Sequence, residues 1–265
     1  MLNGKSILIT GGTGSFGSAF ASKILKKYKN IKRLVIFSRD ELKQFEMSNL
    51  ELFKKNSKKV RFFIGDVRDF ERVKMAFKNI DIVVHAAAMK QVEASEYNPM
   101  ECVKTNITGT ENVIKACIAS KISKAVLVST DKAVNPINLY GSTKLASEKI
   151  FLNANNLVGK NNLKFSVVRY GNVAGSRGSV IPFFLNLIKE GKNIFPITDN
   201  KMTRFWISLD HAAKFVKMSI ENMNGGEIFV PKLYSFYIKD LPKALHPNPK
   251  IQIIGKKKGE KLSEV

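Results

Sequence analysis

The feature that most restricts the possible folds is a glycine-rich turn with the spacing Gly11-x-x-Gly14-x-x-Gly17. It follows the apolar run "SILIT" at residues 6–10 and precedes a segment with helical periodicity. Glycines at this spacing permit a tight turn, close approach of the backbone to a phosphate, and packing of the helix on the strand. Free N–H groups at the start of the helix bind anions. We therefore predict a dinucleotide-binding strand–turn–helix unit, with a purely structural turn as the alternative.

Short apolar runs alternate with longer segments of helical periodicity over most of the chain. Runs rich in Val, Ile and Phe indicate buried strands at 6–10, 33–37, 60–65, 81–87, 124–129 and 165–170. This alternation predicts an α/β fold with a Rossmann-like, doubly wound parallel sheet. The pattern loosens after about residue 172. We therefore expect a cofactor-binding Rossmann domain at 1–172 and a smaller, partly interleaved substrate lobe at 173–265.

The chain is strongly basic, with 44 Lys and Arg against 22 Asp and Glu and a net charge of +22. This balance favours an acidic partner such as a phosphorylated small molecule, nucleic acid or an anionic membrane surface. The basic residues are spread along the chain and form no nucleic-acid recognition motif. We expect a solvated, lysine-rich surface and no nucleic-acid partner, although a nucleic-acid binder stays as a rival interpretation.

Neither a membrane nor a metal is expected as a partner. No apolar run in the sequence is long enough to span a bilayer. The three histidines and two cysteines form no metal-ligand pattern, and so few cysteines fit a reducing compartment. The N-terminus enters an apolar run without a signal-peptide layout. We expect a cytoplasmic protein.

The end of the second predicted strand, "IFSRDE", bears on the choice between NAD and NADP. An NAD site usually places an acid there to hold the ribose 2′-OH, whereas Ser38 and Arg39 suit a 2′-phosphate. Asp40 follows and leaves NAD as an alternative, but we predict NADP. At the ends of the next two strands, Asp66 and Val67 are placed for the adenine, and small residues let the cofactor lie close to the sheet. The predicted cofactor-binding residues are Gly11, Thr13, Gly14, Ser15, Phe16, Gly17, Ser38, Arg39, Asp40, Asp66, Val67, Ala86, Ala87, Ala88, Tyr140 and Lys144.

The stretch "STDKAVNPINLYGSTK" carries the candidate chemistry. Tyr140 and Lys144 are spaced i, i+4, so they share one face of a helix. A nearby ammonium stabilises phenolate, which makes Tyr140 a base for a sugar or alcohol hydroxyl. Thr130 is placed to hydrogen-bond the same oxygen. Asn106 either supports the helix that carries the site or caps a helix.

These motifs resemble the extended short-chain dehydrogenase/reductase family, whose members share the glycine loop, the Tyr-x-x-x-Lys pair and a C-terminal lobe for nucleotide sugars. An epimerase of this family needs only Ser/Thr, Tyr and Lys, so the adjacent Asp131 and Lys132 point elsewhere. Hexose 4,6-dehydratases have Thr-Asp-Glu at this strand end, and Lys132 here replaces the Glu. The motifs "GGTGSFG", "FSRDE", "HAAAMKQV", "VRYGNVAGSRGSVIPFF" and "GEKL" are most similar to the branch that dehydrates UDP-N-acetylglucosamine with inversion at C5.

The resemblance implies a catalytic set of Thr130, Asp131, Lys132, Tyr140 and Lys144. Tyr140 takes the C4 hydroxyl proton while NADP takes the hydride. Neutral Lys132 then removes the C5 proton, and protonated Asp131 donates to the departing C6 hydroxyl; burial and neighbouring charge would have to shift both pKa values. The resemblance also implies a homo-oligomer, with a hexamer as one form, and a place at the first step towards pseudaminic acid and flagellin glycosylation.

The same resemblance implies contacts to UDP-N-acetylglucosamine from the C-terminal lobe. Asn172 and Arg204 would hold the diphosphate, and Glu260 the uridine ribose. Arg177 is as well explained by a loop salt bridge. The implied substrate-binding residues are Lys90, Thr130, Tyr140, Asn172, Arg177, Met202, Arg204 and Glu260. Family members read "RPGEKL" and continue, whereas this sequence reads "KKKGEKLSEV" and stops, so we expect an incomplete lobe. The rival functions are a UDP-sugar 4-epimerase, a retaining dehydratase and an inactive NADP-binding scaffold.

Overall fold

The computed structural model describes residues 2–159 and 162–265, so the predicted domain start at residue 1 lies outside the described residues. The strands are β1 (Ser6–Thr10), β2 (Arg33–Ser38), β3 (Val60–Ile64), β4 (Ile82–His85), β5 (Lys124–Thr130), β6 (Lys164–Tyr170), β7 (Asn172–Val173), β8 (Ile194–Ile197), β9 (Thr203–Ile207), β10 (Ile228–Phe229), β11 (Tyr234–Tyr237) and β12 (Lys250–Ile253). The α-helices are α1 (Ser15–Lys27), α2 (Glu41–Asn49), α3 (Glu51–Lys55), α4 (Phe70–Ala76), α5 (Val92–Tyr97), α6 (Pro99–Val103), α7 (Gly109–Ala119), α8 (Leu139–Asn153), α9 (Val180–Lys189), α10 (Leu209–Asn222) and α11 (Leu241–Leu245). A π-helical turn (Lys104–Thr108) joins α6 to α7, and 3₁₀ turns occupy Asp131–Ala133, Ala154–Asn156 and Ile238–Asp240.

The main sheet is parallel and has the strand order β10-β6-β5-β4-β1-β2-β3. The order reverses between β1 and β4, which is where such sheets bind ligands. Alternate side chains of β1 enter two cores, because Ile7 and Ile9 belong to one cluster and Leu8 to the other. The predicted doubly wound α/β fold is confirmed, since apolar runs buried on both faces are typical of parallel strands.

The residues after β6 form two smaller sheets and also return to the main one. In the first small sheet β9 pairs with β7 and β11, and in the second β8 pairs with β12. A third apolar cluster beneath them contains Phe184, Phe195 and Met202. β10 extends the main sheet beside β6, and α10 packs on α1. The division at 172/173 stays a prediction.

Candidate functional site

The carboxyl ends of β1, β2, β4 and β5 open onto one cleft of about 1060 Å³. Asp131 and Met202 lie behind its wall, whereas the other predicted site residues line it. The lining residues from the predicted set are Gly11, Thr13, Gly14, Ser15, Phe16, Gly17, Ser38, Arg39, Asp40, Asp66, Val67, Ala86, Ala87, Ala88, Lys90, Thr130, Lys132, Tyr140, Lys144, Asn172, Arg177, Arg204 and Glu260. The structure therefore brings together side chains that the sequence spreads over most of its length.

The three motif glycines meet different needs. Gly11 has a φ of 65°, and a Cβ there would lie 2.8 Å from the backbone nitrogen of Ala87. A Cβ on Gly17 would lie 2.6 Å from the carbonyl oxygen of Gly11, so Gly17 lets α1 pack against the turn. Gly14 is more open, because that same carbonyl oxygen at 3.1 Å is its nearest neighbour. At this turn the backbone, rather than side chains, therefore faces the cleft.

The start of α1 fits the pyrophosphate of a dinucleotide. Gly14 occupies the N-cap position and has no side chain with which to cap the helix. The first turn, Ser15–Phe16–Gly17, contains no acid, while the last turn holds Lys26 and Lys27. The positive end of the helix dipole and the N–H groups of this turn favour an anion in the cleft.

The corner after β2 carries two cations, each beside an acid. Arg39 is exposed, and its Nη1 lies 3.5 Å from Asp66 Oδ2. Asp40 caps α2 by accepting from the Lys43 backbone N–H at 2.9 Å, and it also pairs with the Lys43 ammonium. The hydrogen bond from the Lys43 side chain lowers the pKa of Asp40 below its usual value. Asp40 is thus engaged in capping α2, whereas Arg39 and Lys43 provide cations at the cleft. Lys43 was not among the residues predicted from the sequence.

The loops after β3 and β4 form the floor of the cofactor region. Burial would raise the pKa of Asp66, but hydrogen bonds from Arg68 outweigh it and hold the pKa below its usual range. Val67 is buried, and its methyl group would lie 2.7 Å from a Cβ on Gly109. Ala87 donates its N–H to Thr10 Oγ1 at 3.3 Å. These contacts fix a flat, small-residue surface beside the glycine turn.

Helix α8 brings Tyr140 and Lys144 to the cleft. Asn138 caps the helix by accepting from the Gly141 N–H at 2.8 Å. Burial raises the pKa of Tyr140 well above its ordinary value, and a hydrogen bond with Thr130 opposes the rise. Burial lowers the pKa of Lys144 to about 8, and the charge of Glu148 opposes that fall. Burial disfavours both charged forms, so a phenolate here needs added positive charge.

Asn106 supports the site helix rather than capping a helix. It lies in the π-helical turn, accepts from the Met89 N–H at 2.8 Å and donates to the Met89 carbonyl at 3.0 Å. Its amide also donates to Thr143 Oγ1 at 3.0 Å. Asn106 therefore joins the loop after β4 to α8, one residue before Lys144.

A buried ion pair fixes α8 on the sheet from the other side. Glu148 Oε1 accepts from Ser129 Oγ at 2.5 Å and from Arg169 Nε at 3.1 Å, and its second oxygen pairs with the same guanidinium. The Glu148 side chain is 1% exposed. These contacts tie α8 to β5 and β6, the strands on which the site is built.

Replacing Glu148 with Ala should lower the free energy of unfolding by about 3–5 kcal/mol, because it leaves the partly buried Arg169 cation without its carboxylate. Urea titration measures the change. The matched control is Glu51→Ala, which removes an exposed ion pair with Lys55 and should change stability by less than about 1 kcal/mol. Equal losses of stability in the two variants would contradict the role of Glu148 in holding α8 on the sheet.

Lys132 lies at the centre of a polar cluster at the end of β5. Its Nζ donates to Asp131 Oδ1 at 3.1 Å and to Asn172 Oδ1 at 2.9 Å. Glu264 Oε1 is 3.4 Å away. The side chain of Lys132 is 19% exposed and lines the same cleft as Tyr140. The amine is held in place and still reaches the cleft.

Asp131 lies behind Lys132. Its Oδ1 also accepts from Thr130 Oγ1 at 2.9 Å. Within the described residues its buried Oδ2 has no hydrogen-bond partner. The sequence predicts that Asp131 faces the sugar directly, whereas the structure places it one side chain behind the cleft wall.

The C-terminal segment lies against Arg204, which is 7% exposed. The guanidinium donates to the carbonyls of Thr203, Lys261 and Leu262 at 2.7, 3.0 and 3.2 Å. Its Nη2 lies 3.6 Å from Glu260 Oε1. Arg204 and Glu260 therefore meet at the cleft as an ion pair, and Arg204 fixes the backbone around it.

The placement of Met202 corrects the expectation that it contacts the sugar. Its side chain is 2% exposed and packs in the third apolar cluster. Its sulfur accepts from Thr198 Oγ1 at 3.2 Å. The apolar neighbours of this thioether keep it in the lobe core, behind Arg204.

Lys90 and Arg177 meet across the cleft. Lys90 Nζ donates to the Arg177 carbonyl at 2.9 Å, and the Arg177 N–H donates to Ser15 Oγ at 3.0 Å. Burial lowers the pKa of Lys90. Arg177 thus contacts the glycine turn. It lies next to the predicted cofactor region as well as to the predicted sugar region.

The most informative cleft residue that the sequence analysis missed is Glu264. Its only sequence signal is an acid three residues after Lys261 in the tail, which by itself cannot be told from a solvated charge.

Across residues 2–159 and 162–265, no group of three His, Cys, Asp or Glu is arranged to hold a metal. The same described ranges contain no helix with the length and apolarity to cross a bilayer.

Comparisons with known proteins identify the family of the chain. Residues 7–265 match the family described as "Polysaccharide biosynthesis protein". The chain is 57% identical over 265 residues to the UDP-N-acetylglucosamine 4,6-dehydratase (inverting) of Campylobacter jejuni subsp. jejuni serotype O:23/36 (strain 81-176), covering 100% of this chain and 78% of the relative. It is 46% identical over 266 residues to the UDP-glucose 4-epimerase of Rickettsia bellii (strain OSU 85-389), covering 98% of this chain and 76% of the relative.

Solved structures give the same fold. Pen from Bacillus thuringiensis superposes with a TM-score of 0.93 at 42% identity, covering 98% of this chain and 83% of that one. DesIV, a dTDP-glucose 4,6-dehydratase from Streptomyces venezuelae with NAD and TYD bound, has a TM-score of 0.86 at 20% identity over 98% of this chain and 87% of that one. At that identity the second likeness shows the fold alone.

Proposed function

Because this chain belongs to the polysaccharide biosynthesis protein family of extended short-chain dehydrogenases/reductases, we propose that it dehydrates UDP-N-acetylglucosamine across C5 and C6 with inversion at C5. The Campylobacter jejuni relative named for this reaction supports the proposal. The observation that carries it is Lys132, whose amine lies 3.1 Å from Asp131 Oδ1 in the cleft that Tyr140 and Lys144 share. A 4-epimerase has no elimination step that would need this acid–base pair.

We propose NADP as the cofactor. The turn at Gly11–Gly17 and the start of α1 would hold the pyrophosphate, Asp66 and Val67 the adenine side, and Arg39 the 2′-phosphate. When bound, the nicotinamide would supply the hydride acceptor at C4 and the hydride donor at C6. The charge of its ring favours the phenolate that burial of Tyr140 opposes.

Tyr140 is the base for the first step. Its phenolate oxygen takes the proton of the C4 hydroxyl, and Lys144 and Thr130 hold the phenolate oxygen in place. The resulting C4 ketone acidifies the proton on C5. Because the Lys144 amine is anchored by a 2.8 Å hydrogen bond to the Val128 carbonyl, its position is set by the sheet rather than by solvent.

Lys132 and Asp131 carry out the elimination. Lys132 takes the C5 proton, the C5–H electron pair forms the C5=C6 bond, and the C6–O bond breaks. Asp131, one side chain behind the cleft wall, supplies the proton with which the hydroxyl leaves as water, through the Thr130 hydroxyl that lies 2.9 Å from its Oδ1. Once C6 has been reduced, a proton reaches the opposite face of C5 from Lys132 or from water, which inverts that carbon. Tyr140 releases to solvent the proton that it took from the C4 hydroxyl, and Asp131 regains one from solvent, so the cycle releases only water.

The other wall of the cleft orients the nucleotide sugar. Arg204 and Asn172 would face the diphosphate, and Glu260 the ribose. Lys90 adds positive charge close to the glycine turn. Because the Arg177 backbone N–H donates to Ser15, Arg177 would contact the cofactor as well as the substrate.

Replacing Arg39 with Ala should weaken NADP binding by about 10-fold or more and leave NAD binding within about two-fold, because one charge-assisted contact to the 2′-phosphate contributes on the order of 1.5–3 kcal/mol. Calorimetric titration with each dinucleotide measures the change. Arg61→Ala, on the exposed surface of β3, is the control. Equal weakening for NAD and NADP would contradict the assignment of Arg39.

The reaction is tested by incubating the protein with UDP-N-acetylglucosamine and following the sugar by NMR. We expect a C6 methyl group, a C4 ketone and inverted C5. An epimerase would yield the C4 epimer with C6 still hydroxylated, and a retaining dehydratase would leave C5 in its original configuration. Unchanged substrate would indicate a cofactor-binding scaffold. We further propose a cytoplasmic homo-oligomer acting at the first step towards pseudaminic acid and flagellin glycosylation, which the motif resemblance supports.

A further inference from the structure

Glu264 is a buried acid at the centre of the site that the reaction steps above do not use. Its side chain is 2% exposed, and it lines the cleft. Oε1 lies 3.4 Å from the amine of Lys132, and Oε2 lies 3.1 Å from the amine of Lys261. A carboxylate taken out of water is costly unless it is paired, so this placement depends on the two lysines.

The backbone around Glu264 is fixed independently of its carboxylate. The Thr203 N–H donates to the Leu262 carbonyl at 3.0 Å, and Thr203 Oγ1 donates to Ser263 Oγ at 2.8 Å. Lys261 Nζ donates to the Val134 carbonyl at 2.6 Å, which ties the segment to the loop after Asp131–Ala133. Because the segment is attached on both sides of the cleft wall, the carboxylate cannot move away from Lys132 without breaking several contacts.

Lys132 lies in a cluster of two lysines and two acids. Asp131 and Glu264 are the two acids within reach of its amine, and Lys261 is the second cation on Glu264. If Asp131 carries the proton that it gives to the leaving hydroxyl, Glu264 is the remaining fixed negative charge beside Lys132. A negative charge at that distance stabilises the ammonium that forms when the C5 proton arrives.

We propose that Glu264 is a positioning residue that holds Lys132 for proton transfer at C5, a role that rests on the proposed dehydratase function. It acts on the step in which the C5–H bond breaks and Lys132 gains the proton. It takes no proton from the sugar itself. Removal of its charge should therefore slow elimination without affecting the oxidation at C4 or the binding of the nucleotide.

The test uses Glu264→Gln, which keeps the shape and removes the charge. We expect solvent deuterium to enter C5 about 100-fold more slowly than in the wild type, as a misplaced catalytic group allows. The dissociation constant for UDP-N-acetylglucosamine should stay within about two-fold, and the transient absorbance of reduced nicotinamide should rise at the native rate. Glu264→Asp, which keeps the charge, should recover part of the exchange rate even if the Gln variant folds poorly.

Glu190→Gln is the control, because Glu190 pairs with Lys192 at 2.7 Å on the surface and does not line the cleft. It should exchange C5 at the native rate. If Glu264→Gln does the same in a protein whose wild type dehydrates, Glu264 has no positioning role. If substrate binding and C4 oxidation fall together with exchange, Glu264 is merely structural and the proposal is overturned. A wild type that never loses water overturns the proposed function itself.

Discussion

Lys132→Met is expected to lower the rate of water loss by about 10²–10⁴-fold, the range typical of losing a general base. In the proposed mechanism the amine removes the C5 proton, and methionine keeps the length of the side chain without the amine. Oxidation at C4 depends on Tyr140 and should continue. The variant should therefore accumulate oxidised sugar with reduced nicotinamide, which absorbance and quenched-flow NMR measure together.

The control for this change is Lys115→Met, which removes an exposed lysine paired with Glu111 on α7. It should dehydrate at the native rate. A Lys132 variant that loses water at the wild-type rate would show that another group removes the C5 proton. A variant that no longer oxidises C4 would show that Lys132 serves the whole site rather than the elimination.

Tyr140→Phe is the second change with a large expected effect, a fall of about 10²–10⁴-fold in the first oxidation. The phenol oxygen is the proton acceptor for the C4 hydroxyl, and phenylalanine fills the same buried space without it. Because the pKa of Lys144 is lowered to about 8, the ammonium that supports the phenolate is present below that pH and lost above it. The wild-type oxidation rate should therefore fall on the alkaline side.

Single-turnover absorbance measures this oxidation, with Tyr237→Phe as the control because Tyr237 is exposed on β11. The control should oxidise C4 normally. An oxidation rate unchanged in Tyr140→Phe would remove Tyr140 from the reaction. An alkaline limb that persists in Lys144→Met would show that another group causes it.

The sheet was predictable because its strands are buried on both faces. The central parts of these runs, such as 34–37 and 125–128, are apolar throughout, which favours parallel strands over any alternating pattern. The predicted strand at 81–87 was too long by three residues, one at its start and two at its end, because Ala86 and Ala87 are apolar yet leave β4 to cover Gly11. The two-residue strand β10 was not predicted, since a pairing that short carries no periodicity.

Site residues could be predicted where they lie at or soon after the carboxyl end of a strand. Tyr140, Lys144 and Lys132 come from one stretch, and the carboxyl edge of a parallel sheet is where such groups meet. Met202 was misplaced because a sequence does not tell an apolar lining residue from a core one. Glu264 was missed because 132 residues separate it from Lys132 in the chain, and only folding of the tail against β9 brings them together.

The central claim is that one bound nicotinamide carries the same hydride from C4 to C6 of one sugar. The most direct measurement uses UDP-N-acetylglucosamine labelled with deuterium at C4, in ordinary water and with no added reductant. We predict that the label appears in the C6 methyl group of the 4-keto product. Label found in free reduced nicotinamide, in solvent, or still at C4 would contradict the claim.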